Sequence, residues 1–377
     1  QVREEAITDV FVLFSQLKTL CEGVRLLEES TPRTVDSALA FGEKLSTVIF
    51  FYACKEASLD TVLTDAEKLM ETNSNFNSAQ VDLVKTKQNV LEFLNTNNNS
   101  KRIIITQGFI GSDENGITTT LGRGGSDYSA AVFGAVLIAD EIQIWTDVSG
   151  VLSADPRLVK NTITIPQMSY SEIRELSFFG AKVLHPDTIM PAIENRIPVR
   201  IMNTFEPDNP GTLFLDKIES EKTEFHSVLL KNKCKSIQIK VPVFTNPVSF
   251  FSNILAEIAP FKDCIFFSAI VDNHIKILLN VEKTGIEEIF GDMLHNYEIE
   301  IKDVAFICIC GTNFLSGNAE TNAKIIEIQN ILYELKAPFI FLGSTQFSLL
   351  FTVAQDHAQK VLKVLHEKLI HITSLSV

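Results

Sequence analysis

A glycine-rich turn that runs into an apolar helix, Thr118–Ala131 (TTTLGRGGSDYSAA), restricts the fold of this chain most. Three glycines within four positions let the backbone approach a ligand closely. Ser126 and Asp127 are suited to cap the helix that follows, and the first N–H groups of that helix would face an anion. Arg123 adds a planar fork of donors for a carboxylate or a phosphate. The segment predicts an anion-binding turn, or in the simpler interpretation a tight connection between a strand and a helix.

The surrounding sequence predicts an α/β domain. Residues 1–70 have apolar positions at three- and four-residue spacing, which is typical of helices. Between residues 103 and 214 strand-like segments alternate with helix-like ones, a pattern that favours layered helices on a largely parallel sheet. The dipeptide Asn115-Gly116 between two extended runs predicts a hairpin that projects from the sheet.

The rest of the chain, from Lys217 onwards, has a different pattern. A charged stretch, Lys217–Glu224, leads into short β-rich runs separated by helices. Two successive blocks each follow the order strand, helix, strand, strand, helix. This order predicts a ferredoxin-like βαββαβ unit that occurs twice.

Two further segments contain candidate ligand-binding residues. Thr146 and Asp147 end a strand, and open α/β sheets bind their ligands at strand ends. Arg157 follows in Asp155-Pro156-Arg157, a sequence that could equally be a turn closed by an ion pair. Lys182 lies in an apolar setting, where a lysine must reach water or meet an anion.

Several motifs, in this order and spacing, resemble those of aspartokinases: FGEKLS, QGFIG, LGRGGSDYSAA, IWTDVSGV with ADPR, FGAKVLHP, and NTFEP with PGT. The resemblance implies the amino-acid kinase fold followed by two ferredoxin-like ACT domains. The implied ranges are 1–215 for an N-terminally incomplete catalytic domain, 216–232 for a linker, and 233–300 and 301–377 for the two ACT-like domains.

The resemblance also implies the roles of individual residues. In the aspartate site, Glu43 would bind the amino group and Arg123 a carboxylate, with Phe109 of QGFIG beside them. Arg123 and Asp127 would be the catalytic residues, and Asp127 would orient a lysine and the metal. The implied nucleotide-binding residues are Gly124, Gly125, Ser126, Asp127, Thr146, Asp147, Leu152, Arg157 and Lys182. The motifs name no metal ligand.

The implied reaction uses ATP and Mg²⁺ to convert L-aspartate into 4-phospho-L-aspartate, the first step towards lysine or diaminopimelate, threonine and methionine. Family members assemble as homodimers or larger homo-oligomers through their ACT domains and bind an amino-acid effector. The strand Ile265–Ile270 has no acidic residue to pair with a lysine ammonium group, so we expect lysine inhibition to be weakened, lost or relocated. Two alternatives stay open: another amino-acid kinase, specific for glutamate or acetylglutamate, and a non-catalytic ACT regulatory subunit.

Composition excludes some classes of function. The formal net charge of −14 leaves no surplus of Lys and Arg for nucleic acid. We find neither a run of about 18 apolar residues nor a signal-peptide pattern, so we expect a cytoplasmic protein with no membrane partner. The family's Lys-Phe-Gly-Gly-Thr-Ser loop, whose lysine stabilises the transferring phosphoryl group, is expected upstream of Gln1.

Overall fold

The structure is a computed structural model that describes residues 2–96, 102–180, 184, 186–218, 224–281, 285–291, 293–315 and 319–370. The chain forms two compact units. The first comprises Gln1–Trp145 and Leu184–Arg200, and the second comprises Thr146–Val183 and Ile201–Val377. The chain therefore crosses between the units three times, twice within strands.

In chain order the helices are α1 (Val2–Leu27), α2 (Pro32–Glu56), α3 (Ala66–Leu69), α4 (Leu83–Asn95), α5 (Gly125–Leu137), α6 (Tyr170–Phe178), α7 (Met190–Glu194), α8 (Pro247–Ile258), α9 (Ile286–Phe290), α10 (Met293–Asn296), α11 (Ala319–Glu334) and α12 (Ala358–Leu369). Short 3-10 helices cover Pro186–Ile189, Ala259–Cys264 and Gln355–His357. The strands are β1 (Thr61–Leu63), β2 (Glu71–Thr72), β3 (Ile103–Ile105), β4 (Ile110–Asp113), β5 (Thr118–Thr120), β6 (Ile142–Thr146), β7 (Gln167–Ser169), β8 (Val199–Asn203), β9 (Thr212–Leu215), β10 (Phe225–Lys240), β11 (Ile265–Val271), β12 (His274–Asn280), β13 (Ile299–Gly311), β14 (Phe339–Ser344) and β15 (Ser348–Val353).

The first unit begins with two long helices, as the helical spacing predicts. Thr31 caps α2 by accepting a hydrogen bond from the Thr34 N–H at 3.3 Å, and Pro32 occupies the first helical turn, where a missing N–H costs nothing. The predicted helical region is interrupted at residues 61–63, where β1 pairs in parallel with β3.

The other strands of the first unit place the glycine-rich segment. Strand β2 pairs in parallel with β4, and β4 pairs with β5 in an antiparallel hairpin. The predicted turn at Asn115-Gly116 is confirmed: the Asp113 carboxylate accepts hydrogen bonds from the Asn115 and Ile117 N–H groups at 3.0 Å, and Gly116 has a φ of +71°. Strand β5 leads directly into the glycine-rich turn and α5, whose apolar face joins Val90 and Met70 in the core.

The second unit is built on a six-stranded sheet with the order β11-β12-β10-β13-β15-β14. Its central strands β10 and β13 are long, and each belongs to two ferredoxin-like units, one at either end. One ferredoxin-like unit consists of β11, β12, the C-terminal half of β10 and the N-terminal half of β13. The other consists of β14, β15, the N-terminal half of β10 and the C-terminal half of β13. The prediction of two βαββαβ units is thus confirmed.

The shared strands bear on the predicted linker. The pairing between β10 and β13 shifts register between Lys231 and Cys234, where one ferredoxin-like unit gives way to the other. Strand β10 begins at Phe225, so residues 225–232 of the predicted linker 216–232 are part of the sheet. Sequence alone could not place them there, because their partners lie about 80 residues further along the chain. The four domain ranges otherwise remain predictions.

Each ferredoxin-like unit has its own apolar core. One contains Ile237, Ile277 and Phe250, and the other contains Ile307, Phe351 and Leu362. The second core also takes in Ala154 and Val159, so the segment after β6 is anchored there. None of the helices in the described part of the chain combines the length and the apolar character needed to span a bilayer.

Candidate active site

A cavity of about 360 Å³ opens beside the glycine-rich turn in the first unit. Helix α2, the segment before β4, the turn and the first residues of α5 form its wall. The lining residues are Glu43, Phe109, Gly122, Arg123, Gly124, Gly125, Ser126 and Asp127. The structure therefore brings together every predicted aspartate-site residue, and with them the predicted nucleotide residues 124–127.

The backbone of the turn requires glycine for two reasons. Gly122 has a φ of +77°, and a Cβ atom there would lie 2.8 Å from the Asn77 carbonyl oxygen. Gly124 has a φ of +73° and immediately precedes α5. The prediction that Ser126 and Asp127 cap this helix is wrong: the left-handed conformation of Gly124 lets the helix start at Gly125, so both residues lie in its first turn.

Phe109 closes one side of the cavity in a left-handed conformation, with a φ of +68°. Its N–H donates to the Ser129 hydroxyl at 2.8 Å, and its carbonyl accepts from the Leu121 N–H at 2.9 Å. A Cβ atom on Gly125 would lie 2.7 Å from the Phe109 ring. The ring is therefore held against the start of α5, and no side chain larger than hydrogen fits between them.

Three charged side chains line the cavity. The Arg123 guanidinium is exposed, and the Glu43 and Asp127 carboxylates are half-buried. Within the described residues none of the three makes a side-chain hydrogen bond or an ion pair. Burial raises the pKa of Glu43 and of Asp127 above the usual range of each carboxyl group. A cation that binds near either carboxylate would oppose that shift, so the cavity can hold a ligand with both charges.

The neighbouring charges of α2 are already paired. Lys44 lies next to Glu43 in the sequence, but its ammonium contacts both carboxylate oxygens of Glu67 at 2.9 Å. That pairing leaves Glu43 as the charged side chain that α2 contributes to the cavity wall.

The other predicted nucleotide residues belong to the second unit. The Thr146 hydroxyl donates to Asp147 at 3.2 Å at the end of β6, and Leu152 forms an isolated bridge with Thr164. The Arg157 guanidinium pairs with Asp155 at 2.6 Å, which is the ion-paired turn of the simpler interpretation. Arg157 is nonetheless well exposed, since 86% of its side chain remains accessible. Lys182 lies outside the described residues.

Sequence reasoning missed one residue that the cavity depends on, Asp36 in α2. It is fully buried, yet its carboxylate accepts hydrogen bonds from the strand and loop that lead into the glycine-rich turn. Its spacing from Glu43 could have revealed it in the sequence. Asp36 precedes Glu43 by seven residues, or two helical turns, so both side chains lie on the same face of α2.

The comparisons with known proteins agree with this architecture. Residues 4–203 match the model of the amino acid kinase family. Over 372 residues, which are 95% of the chain and 81% of the relative, the sequence is 30% identical to lysine-sensitive aspartokinase 3 of Escherichia coli K12. A solved structure of E. coli aspartokinase III with aspartate and ADP has a TM-score of 0.71 at 28% identity, covering 98% of this chain and 82% of that one. The aspartate kinase of Clostridium acetobutylicum has a TM-score of 0.77 at 25% identity, covering 96% and 80%.

The match to the family model spans more than half of the chain, and the similarity to E. coli aspartokinase 3 spans nearly all of it. The chain therefore belongs to the amino acid kinase family. Within that family it is an aspartate kinase, with ACT-type ferredoxin-like domains after the kinase fold.

Proposed function

We propose that the cavity of the first unit is the aspartate site and that it selects its substrate by charge. The observation that carries the proposal is the placement of Glu43 and Arg123 on one cavity, where neither side chain has a partner among the described residues. The Glu43 carboxylate would bind the α-amino group, and the Arg123 guanidinium would bind a carboxylate through two parallel hydrogen bonds. The ring of Phe109 would exclude water from the carbon chain between them.

The side-chain carboxylate of bound aspartate is itself the nucleophile. With a pKa near about 4 it is ionised at neutral pH, so the reaction needs no general base. A carboxylate oxygen attacks the γ-phosphorus of ATP, the bond from that phosphorus to the bridging oxygen breaks, and ADP leaves with the electron pair. Two anions must approach each other, so positive charge and correct alignment provide the catalysis. Arg123 and the N–H groups in the first turn of α5 would provide both at this cavity.

We propose that Gly124, Gly125, Ser126 and Asp127 are nucleotide-binding residues. Thr146, Asp147, Leu152, Arg157 and Lys182 are also proposed as nucleotide-binding residues, the two cations facing phosphates and Leu152 making an apolar contact. Mg²⁺ is usually held by one or two carboxylates and the substrate phosphates rather than by an all-protein cage. The chemistry of the cavity fits such an ion: Asp127 supplies one half-buried carboxylate, and the described residues contain no group of three or more His, Cys, Asp or Glu side chains that could hold a metal. The ion would offset the charge of the phosphates.

The remaining parts of the proposal concern regulation and assembly. The name of E. coli aspartokinase 3 records lysine sensitivity, and we propose that an amino acid also regulates this chain through its ACT-type domains. A homo-oligomer formed through those domains, a cytoplasmic location and a role in lysine or diaminopimelate synthesis are proposed with it.

Substitution of Arg123 tests the aspartate site. In the full chain we expect Arg123→Ala to lower kcat/KM for aspartate by about 100-fold or more, because a bidentate pair to a carboxylate is lost. Arg123→Lys should restore little, since an ammonium cannot form the paired contact. Arg25→Ala, which removes an exposed arginine from α1, is the matched control and should behave as the parent protein.

Coupled measurement of ADP release with aspartate and with glutamate gives the readout. A normal kcat/KM for aspartate in Arg123→Ala would refute the assigned site. Faster turnover of glutamate than of aspartate by the parent protein would favour another acceptor, and amino-acid binding without any turnover would favour a regulatory subunit.

A further inference from the structure

Asp36 is a buried carboxylate that has no cation beside it in the part of the chain that the structure describes. Its side chain has no accessible surface, and it forms no ion pair within the described residues. Its oxygens accept instead from the Asn77 N–H at 3.0 and 3.1 Å, from the Thr120 N–H at 2.9 Å and from the Thr120 hydroxyl at 2.7 Å. A buried charge is tolerated only where hydrogen bonds replace its hydration. These donors therefore have to stay in place around Asp36.

The groups that donate to Asp36 are those that shape the glycine-rich turn. Thr120 is the last residue of β5 and stands two positions before Gly122. The Asn77 carbonyl oxygen lies so near Gly122 that a Cβ atom added there would be only 2.8 Å from it. The Ala79 N–H donates to the Thr120 carbonyl at 2.9 Å and ties the two chain segments to each other. One side chain of α2 thus holds both segments that determine where the turn lies.

The same helix contributes Glu43 to the cavity. Seven residues separate Asp36 from Glu43, so the two side chains lie on one face of α2, about 10 Å apart along the axis. Ala40 between them is buried against Ile110 and Phe109, so this face of α2 packs on the start of β4. A continuous path of contacts thus runs from Glu43 along α2 to Asp36, and from there through Thr120 to the turn that contains Arg123.

We infer that Asp36 is a positioning residue for recognition of the amino-acid substrate. It holds Arg123 at the separation from Glu43 that suits the amino and carboxylate groups of aspartate. The inference rests on the proposed aspartate site and adds to it a residue that never touches the substrate. Loss of Asp36 lets the turn move relative to α2, so the two charges no longer match aspartate together.

The test compares Asp36→Ala with Asp36→Asn in the full chain. The alanine variant leaves the Asn77 and Thr120 N–H groups without an acceptor. In the asparagine variant the amide oxygen can accept from both N–H groups while the amide nitrogen donates to the Thr120 hydroxyl, which rotates to accept. We expect Asp36→Ala to raise KM for aspartate by about 10- to 100-fold, the scale of a misplaced binding group. Asp36→Asn should recover most of that loss.

KM values distinguish positioning from a loss of stability. A variant that only unfolds more easily has fewer active molecules, which lowers kcat and leaves both KM values unchanged. Val90→Ala, a core truncation in the same unit, serves as the destabilised control. Positioning predicts that KM for aspartate rises by more than KM for ATP, because the separation from Glu43 matters to aspartate alone, and that the preference for aspartate over glutamate falls.

Thr120→Val and Thr120→Ser provide a second pair should Asp36→Ala fail to fold. The valine variant keeps the shape but removes the hydroxyl that donates to Asp36, and the serine variant keeps the hydroxyl. We expect a higher KM for aspartate in the valine variant alone. An unchanged KM for aspartate in Thr120→Val, or in a folded Asp36→Ala, overturns the inference if Arg123→Ala impairs aspartate use. If Arg123→Ala also leaves aspartate use unchanged, the proposed aspartate site itself is wrong.

Discussion

Replacement of Gly122 by alanine tests whether the glycine-rich turn is constrained by its contact with the loop around Asn77. The φ of +77° at Gly122 costs an alanine about 1–2 kcal/mol. The added Cβ would also lie 2.8 Å from the Asn77 carbonyl oxygen, and relief of such overpacking costs about 1–3 kcal/mol. The two effects together predict that Gly122→Ala lowers the free energy of unfolding by about 2–5 kcal/mol.

Gly116 offers a matched control in the hairpin turn. Its φ of +71° is nearly the same, but a Cβ atom there would have no neighbour within 4 Å. Gly116→Ala should therefore carry only the conformational cost of about 1–2 kcal/mol. Alanine also restricts the unfolded chain, but equally at both positions, so this effect cancels in the comparison. The difference between the two variants isolates the contact with Asn77.

Urea denaturation followed by circular dichroism measures the stability of both variants, and steady-state kinetics measures KM for aspartate. We expect Gly122→Ala to be the less stable variant and to raise KM for aspartate, because the turn must move away from Asn77 and takes Arg123 with it. Gly116→Ala should keep the parent KM. Equal stability of the two variants, together with a parent-like KM in Gly122→Ala, would refute the reasoning.

Two further predictions concern the second unit. Phe306 is fully buried, and its ring centroid lies 5.2 Å from that of Phe179 and 5.1 Å from that of Phe266. Phe306→Ala should therefore lower the free energy of unfolding, measured by urea denaturation, by about 3–5 kcal/mol. The same change at fully exposed Phe244 should leave it almost unchanged. A cost below about 1 kcal/mol for Phe306→Ala would contradict this packing. Burial lowers the pKa of His366, so as pH falls below about 6.5 the unfolded chain binds a proton that the folded chain resists, and stability should decline. His366→Gln should reduce this decline in unfolding measurements between about pH 7.5 and pH 5.5; equal pH slopes would exclude His366 as its source.

Local patterns were sufficient for much of the fold. The Asn115-Gly116 turn, the helix after the glycine-rich turn and the two ferredoxin-like blocks each depend on residues close together in sequence, and each was found where the pattern predicts it. The start of α5 was misjudged because Ser126 and Asp127 are good caps in general, whereas a left-handed Gly124 allows an earlier start. That conformation depends on the tight packing around the turn, which no capping rule includes.

Two other differences between the sequence predictions and the structure arise from contacts between residues far apart in the chain. Sequence predicts residues 225–232 as part of a linker, because the charged stretch 217–224 runs directly into them. Their place in β10 depends on β13, which begins at Ile299. Asp36 was overlooked for a similar reason: an aspartate in a polar stretch of helix predicts a solvated side chain, and its donors lie 41 and 84 residues away.

The sequence by itself determined the class of the protein, much of its secondary structure and the residue types available for binding aspartate and phosphate. These depend on local conformation and on motifs whose spacing is visible in one dimension. Only the tertiary structure decided which of those residues share a cavity, and that a buried carboxylate on α2 holds the turn in place. Such contacts arise when distant segments pack together, since a buried charge must find donors wherever the fold provides them.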